Sequence, residues 1–181
     1  MSKAASAPKS LARIVARLEP YWKMEAANMV GVPAMAGFFT KGQIGWVSLV
    51  PLLATVLLLG IGAVYWRAKV RQLRRVQIDQ TKVLGWIDRL QWPSLILTAL
   101  GGTAAALGWL VPGLTRGTPD RIAATVLAVL AGLEYVNYYH RQLQHFDNRA
   151  DFRRMLAGKG FRTSWLARDL AMLRRERSPH Q

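Results

Sequence analysis

The sequence predicts an all-α integral membrane protein with four transmembrane helices, and three observations carry that reading. Residues 46–66, WVSLVPLLATVLLLGIGAVYW, run 21 positions without a charged side chain, and residues 92–111 run 20. Each run matches the roughly 20 apolar residues a helix needs to cross a hydrocarbon core about 30 Å thick. The hydrophobic share is 51% beside a formal net charge of +15, so the apolar and basic residues are segregated along the chain. The third observation is where the basic residues fall, which depends on the elements taken in order.

The first 23 residues hold Lys3, Lys9, Arg13, Arg17 and Lys23 and no continuous apolar core. A cleavable secretory signal is therefore not expected. In KSLARIVARLEPYW, residues Leu11, Ile14, Val15 and Leu18 share one helical face with Arg13 and Arg17 flanking it. This is the pattern of a basic amphipathic helix lying on a membrane surface, with Pro20 expected to end it. Residues 24–39, MEAANMVGVPAMAGFF, carry Glu25, Asn28 and Pro33 and form the shortest and most polar of the expected spans.

The second span is expected over 46–66. The loop 67–91 is expected to continue that helix outward and then turn near Gly85. The third span, 92–111, contains GGTAAALG, whose Gly101/Ala105, Ala104/Gly108 and Gly102/Ala106 pairs are four residues apart. Such small-residue faces allow close helix approach, with Gly60-Ile61-Gly62 of the second span as the expected matching surface, or a second copy of the chain as the sharper alternative. The fourth span, 122–141, follows Thr118-Pro119-Asp120, which reads as an N-cap, a proline at the first position and an acid in the first turn. Trp46, Trp66, Trp92 and Trp109 bracket the two central spans, as interfacial anchors do.

With four alternating spans, seven basic residues fall in 67–91 and ten from 141 onward, and 22 of the 25 lie on one side. Lys and Arg are retained on the cytoplasmic side, so both termini are expected there, in a bacterial inner membrane. The expected organisation is a cytoplasmic basic segment 1–23, a transmembrane domain 24–141 and a cytoplasmic helical tail 142–181. In that tail, TSWLARDLAMLRRER places Leu166, Leu170 and Leu173 together after Thr163 or Ser164 as N-cap, a second basic amphipathic helix expected to lie on the membrane surface. Arg174, Arg175 and Arg177, with Arg13 and Arg17, are the expected contacts to anionic lipid headgroups, each basic residue contributing about 1 kcal/mol near the surface.

The chemistry-bearing stretch is LEYVNYYHRQLQHFDNRADF, residues 133–152. On a continuous helix Glu134, Asn137, Tyr138 and Arg141 share one face, and His140, Gln144, Asp147 and Asp151 share another. Glu134 lies about 20 Å below Arg121, in the inner half of the bilayer. A carboxylate there must face the bundle and find a donor, among them Arg141, Arg67, Ser94 or Thr98, or stay protonated. Glu134, Asn137, Tyr138 and His140 are thus candidates for an ion, proton or headgroup site, or for interhelical glue.

His140, Asp147 and Asp151 are the weak candidates for a metal site, because the spacing of the two aspartates is common and no second acidic motif accompanies it. The three histidines are too few for di-iron histidine boxes, and the absence of cysteine excludes thiolate ligands and disulfides. No cofactor is expected. The basic charge is spread as insertion alone would spread it, without a nucleic-acid-binding motif, so nucleic acid is not an expected partner. Three functions follow in order: a non-enzymatic accessory or scaffold protein that binds anionic lipid and a partner membrane complex; a small oligomeric transporter or channel using Glu134 and Asn137; and a metal-dependent enzyme acting on a lipid headgroup through His140, Asp147 and Asp151.

Overall fold

A computed structural model describes residues 7–77, 79–143 and 161–178. The described residues fold into six helices: α1 Ala7–Phe39, α2 Trp46–Leu73, α3 Gln80–Arg89, α4 Gln91–Leu110, α5 Thr118–Tyr139 and α6 Trp165–Arg177. Three stretches are long and apolar enough to cross a membrane: α2, the run Gln80–Leu110 whose apolar part is α4, and α5.

The first helix differs from the expectation. Pro20 does not end it; α1 runs unbroken for 33 residues through both Pro20 and Pro33. An internal proline removes one backbone hydrogen bond, and contacts on either side of Pro20 hold the helix together. Glu19 accepts from Lys23 at 3.1 Å on its own helix and from Arg74 at 2.7 Å at the end of α2. Next to the proline, Tyr21 stacks on Trp66 with ring centroids 5.4 Å apart. The Lys23 hydrogen bond, then the Arg74 charge, hold the Glu19 carboxyl below its ordinary range. At the other end Gly42, with φ of +76, brings its N–H onto the Gly37 carbonyl at 2.8 Å and closes the helix.

The short turn after α1 makes α1 and α2 an antiparallel pair from that turn to the Glu19–Arg74 ion pair, with the first turns of α1 extending beyond it. In α4, Gly101 lies so close to α2 that a Cβ there would stand 2.9 Å from the Pro51 Cα, and one on Gly108 would stand 3.0 Å from Val47 Cγ1. The small-residue face thus packs within the chain, but against Pro51 and Val47 rather than against Gly60 and Gly62. Gly60 faces Met29 of α1, and Gly62 faces Tyr138 of α5. Gly102 and Ala106 are left exposed.

The connection after α2 also departs from expectation. The turn lies at Arg74 and Arg75, with Arg75 at φ of +56, and Gly85 sits inside α3. Asp79 caps α3 by accepting from the Lys82 N–H at 3.0 Å. That bond and the Lys82 ammonium hold the Asp79 carboxyl below its usual range.

The N-cap of α5 is Gly117, not Thr118, and the helix ends at Tyr139, two residues before the expected limit. Competing hydrogen bonds explain the early stop. Asn137 Oδ1 accepts from the Leu143 N–H at 2.9 Å, and the Ser164 hydroxyl donates to the Tyr138 carbonyl. Residues 140–142 then pair antiparallel with 162–164.

The main apolar cluster is at this end of the bundle. Leu58, Ile61 and Tyr65 of α2 meet Tyr135, Tyr138 and Tyr139 of α5, and Leu84 and Ile87 of α3 meet Leu166, Leu170 and Leu173 of α6. The leucine stripe of α6 is therefore buried against protein, where the sequence suggested a face lying on lipid. Ser164 is its N-cap, accepting from the Ala167 N–H at 3.0 Å.

Candidate functional site

Two sets of polar side chains converge at the end of the bundle where α2 and α5 finish. The first surrounds Tyr138. Glu25 of α1 is 3% exposed, and its Oε1 accepts from the Tyr138 hydroxyl at 2.6 Å. Gly62 of α2 makes room for that phenol, since a Cβ there would stand 2.0 Å from the Tyr138 oxygen. Glu134 lies one turn before Tyr138 on the same face of α5, and its Oε2 is buried with no hydrogen-bond partner. One phenol and two carboxyls are thus gathered from α1 and α5 around a glycine of α2. A second buried carboxyl with an open oxygen can take up a proton or a small cation, because an unpaired carboxylate at this depth is costly.

The other sequence candidates divide. Asn137 uses its carbonyl oxygen to bind the Leu143 N–H, which closes the helix end. It also borders a cavity of about 20 Å³ shared with Tyr65, Tyr138 and Ser164, room for one water. His140 is exposed, outside the helix, and its ring lies 5.6 Å from that of Tyr135. Because α5 stops at Tyr139, the two helical stripes are broken. Arg141 turns away from Glu134 and donates to the Phe161 carbonyl at 3.0 Å, and His140 is not on a helix that could align it with later residues. Asp147 and Asp151 lie outside the described residues, among which no three His, Cys, Asp or Glu side chains gather as metal ligands. Neither Ser94 nor Thr98 reaches Glu134; both hydroxyls are themselves buried without a partner.

The second set holds α6 in place. Asp169, 6% exposed, accepts at Oδ2 from the Tyr65 hydroxyl at 2.9 Å and from Lys69 Nζ at 2.8 Å. Arg174 donates to Asp88 Oδ1 at 2.9 and 2.6 Å and also reaches the Gln91 side chain. The Arg177 guanidinium passes over Gly85, where a Cβ would meet it at 2.6 Å. Arg175, Arg13 and Arg17 are exposed. Of the five expected headgroup arginines, Arg174 thus also has a structural partner.

Sequence reasoning missed four participants. Glu25 had a signal, a lone acid in an otherwise apolar stretch. Tyr65 and Asp169 had none, since they lie 104 residues apart. The same holds for Asp120, whose carboxylate binds the Gly45 N–H and the Ser48 hydroxyl on α2 at 2.9 and 2.5 Å and the Arg116 N–H at 2.9 Å. No protein-family model, curated protein or solved structure matches this chain.

Proposed function

We propose that the chain crosses a bacterial inner membrane four times with both termini cytoplasmic, and that it acts as a non-enzymatic accessory or scaffold protein whose basic inner face binds anionic lipid and docks on a partner membrane complex. Support for α1 as a fourth crossing comes from its antiparallel course beside α2. Phe38 at 89% and Met35 at 74% exposure suit a lipid-facing surface on its outer half. The observation that carries the lipid reading is that 22 of 25 basic residues fall on one side of such a bundle, where a negative leaflet attracts them.

The test is lipid retention by the full chain. In mixed phosphatidylglycerol and phosphatidylcholine nanodiscs, phosphatidylglycerol should be enriched around the protein. Replacing Arg13, Arg17 and Arg175 with Gln should reduce that enrichment, as should raised salt, which screens surface charge within about 10 Å at 0.1 M. Enrichment indifferent to both changes overturns the lipid reading.

A second reading is favoured by the open oxygen of Glu134: a proton or cation site at Glu134 and Glu25, in a small transporter. Flux into proteoliposomes that disappears in a folded Glu134→Gln protein supports it, and absence of flux from the native chain removes it.

A further inference from the structure

The opposite end of the bundle, where α4 connects to α5, carries a cation that the described chain leaves unpaired. Arg121, in the first turn of α5, lays its guanidinium over the exposed Trp109 ring of α4, 5.0 Å from the centroid. The ring is itself fixed, because Trp109 Nε1 donates to Thr125 Oγ1 at 2.9 Å. Thr125 in turn donates to the Arg121 carbonyl at 3.0 Å, one turn back on α5. The guanidinium makes no ion pair among the described residues, and its Nε is buried without a hydrogen-bond partner. The adjacent carboxylate does not serve it, since Asp120 is taken up by the Gly45 N–H, the Ser48 hydroxyl and the Arg116 N–H. A face-on stack leaves the in-plane N–H groups of an arginine free, in the fork that matches a phosphate.

Beneath this pair the facing edges of α4 and α5 are bare. Seven residues further into each helix from the Trp109–Thr125 hydrogen bond, about 10 Å deeper, lie Gly102 and Gly132. A Cβ added at either glycine meets nothing within 4 Å. Ala106 is exposed and Ala128 half-buried between them, so small residues line a shallow groove. Such a groove alone says nothing of its occupant. The unpaired cation at its head does. Both helices belong to stretches long and apolar enough to cross a membrane, and a tryptophan near the end of a span sits among headgroups.

We infer that this groove holds one phospholipid, with its phosphate on the Arg121 guanidinium and an acyl chain along Gly102 and Gly132. A diacylglycerol fills the groove and leaves the cation unpaired. An inorganic phosphate pairs with the cation and leaves the apolar groove empty. A phospholipid answers both. The inference rests on α4 and α5 crossing a membrane; it needs neither α1 as a crossing nor a choice of cytoplasmic side. It is separate from the basic inner face, because Arg121 and Tyr138 lie at opposite ends of α5.

The test uses the full chain in detergent, titrated with phosphatidylglycerol and released intact into a mass spectrometer. Diacylglycerol with the same acyl chains and inorganic phosphate are the comparison probes. One phosphatidylglycerol should bind more tightly than the rest, and neither comparison probe should displace it. Arg121→Gln should weaken that one lipid about tenfold, the effect of losing one charge-assisted contact. Gly132→Leu fills the groove from a position with room for a side chain, and should weaken the same lipid. Its lipid-free unfolding temperature should not fall, because leucine is the better helix former. If the unfolding temperature shows that Arg121→Gln does not fold, Gly132→Leu carries the test alone.

Equal binding by the native and variant chains overturns the proposal, as does inorganic phosphate that competes for the site. A change of oligomeric mass in Gly132→Leu with lipid binding intact assigns the groove to a second copy of the chain, and overturns it too. Replacing Arg13, Arg17 and Arg175 with Gln should leave this lipid bound, so failure of the anionic-lipid reading is seen separately.

Discussion

Asp120 and Glu134 stand fourteen residues apart on one helix, and the protein treats their carboxyls in opposite ways. Asp120, 1% exposed, accepts from two backbone N–H groups and from the Ser48 hydroxyl, which also lies 2.7 Å from the Asp120 carbonyl. It ties the start of α5 to the start of α2 and leaves neither oxygen open. Glu134, near the other end, keeps a buried oxygen with no partner, beside a tyrosine already bound to a second acid. A fully satisfied buried carboxylate is a fastener. A buried oxygen left open is the feature on which the proposed proton or cation site rests.

The largest expected effect breaks the fastener. Asp120→Ala strands the Gly45 and Arg116 N–H groups and leaves the Ser48 hydroxyl only the residue-120 carbonyl, and each buried unsatisfied donor costs about 1–3 kcal/mol. Thermal or denaturant unfolding in detergent should show a loss of about 3–5 kcal/mol, the range for removing one partner of a buried charged contact. A loss under about 1 kcal/mol would show that the knot is not buried as described.

Gly62→Ala comes next. Its Cβ would overlap the Tyr138 hydroxyl, and overpacking costs about 1–3 kcal/mol. Tyr138→Phe removes the nearest clashing atom and leaves the ring carbon at 2.5 Å, so the double variant should be less destabilised than the sum of the two singles. Strict additivity would contradict the close approach.

The two carboxyls also differ in how legible they were. The spans of α2 and α4 can be read from composition alone, because a charge-free run of sufficient length is a local property. Asp120 reads locally as an acid in a first helical turn, since its partners Gly45 and Ser48 are 75 and 72 residues away. Glu134 was visible as a carboxyl too deep to be indifferent. Its true neighbour Glu25 and the glycine that admits Tyr138 lie on other helices. The tail was misread for the same reason: Leu166, Leu170 and Leu173 show an apolar face, and only tertiary packing decides whether lipid or α3 covers it. Pro20 misled in the opposite direction, because the Tyr21–Trp66 stack and the Glu19–Arg74 bond that carry the helix through it are long-range.

A smaller effect sharpens the contrast at Glu134. Glu134→Gln removes the ionisable group but keeps one side-chain oxygen as an acceptor, and the buried Oε2 has no partner to lose. Stability should change by less than about 1 kcal/mol, the net worth of an ordinary hydrogen bond, against the larger loss for Asp120→Ala. Comparable losses at the two positions would erase the distinction between fastener and open site.

The smallest effect concerns Asp79, the cap of α3. Its folded pKa is lowered by the Lys82 N–H and ammonium. The cap therefore stabilises above the unfolded carboxylate pKa and is lost as pH falls through the lower folded one. Asp79→Ala should lower the unfolding temperature slightly at neutral pH, and the difference should vanish in acid. A difference that persists below the folded pKa would assign the loss to helix propensity instead.

The proposed four crossings would set the depth of both carboxyls, and cysteine accessibility in intact cells measures that topology most directly. The chain has no native cysteine, so single cysteines at Ser6, Gln43, Gln77 and Thr115 report one side each. Four crossings predict that an impermeant thiol reagent labels positions 43 and 115 and spares 6 and 77 until the membrane is opened. Labelling of position 6 from outside would return α1 to the membrane surface, and labelling of position 77 would overturn the bundle's orientation altogether.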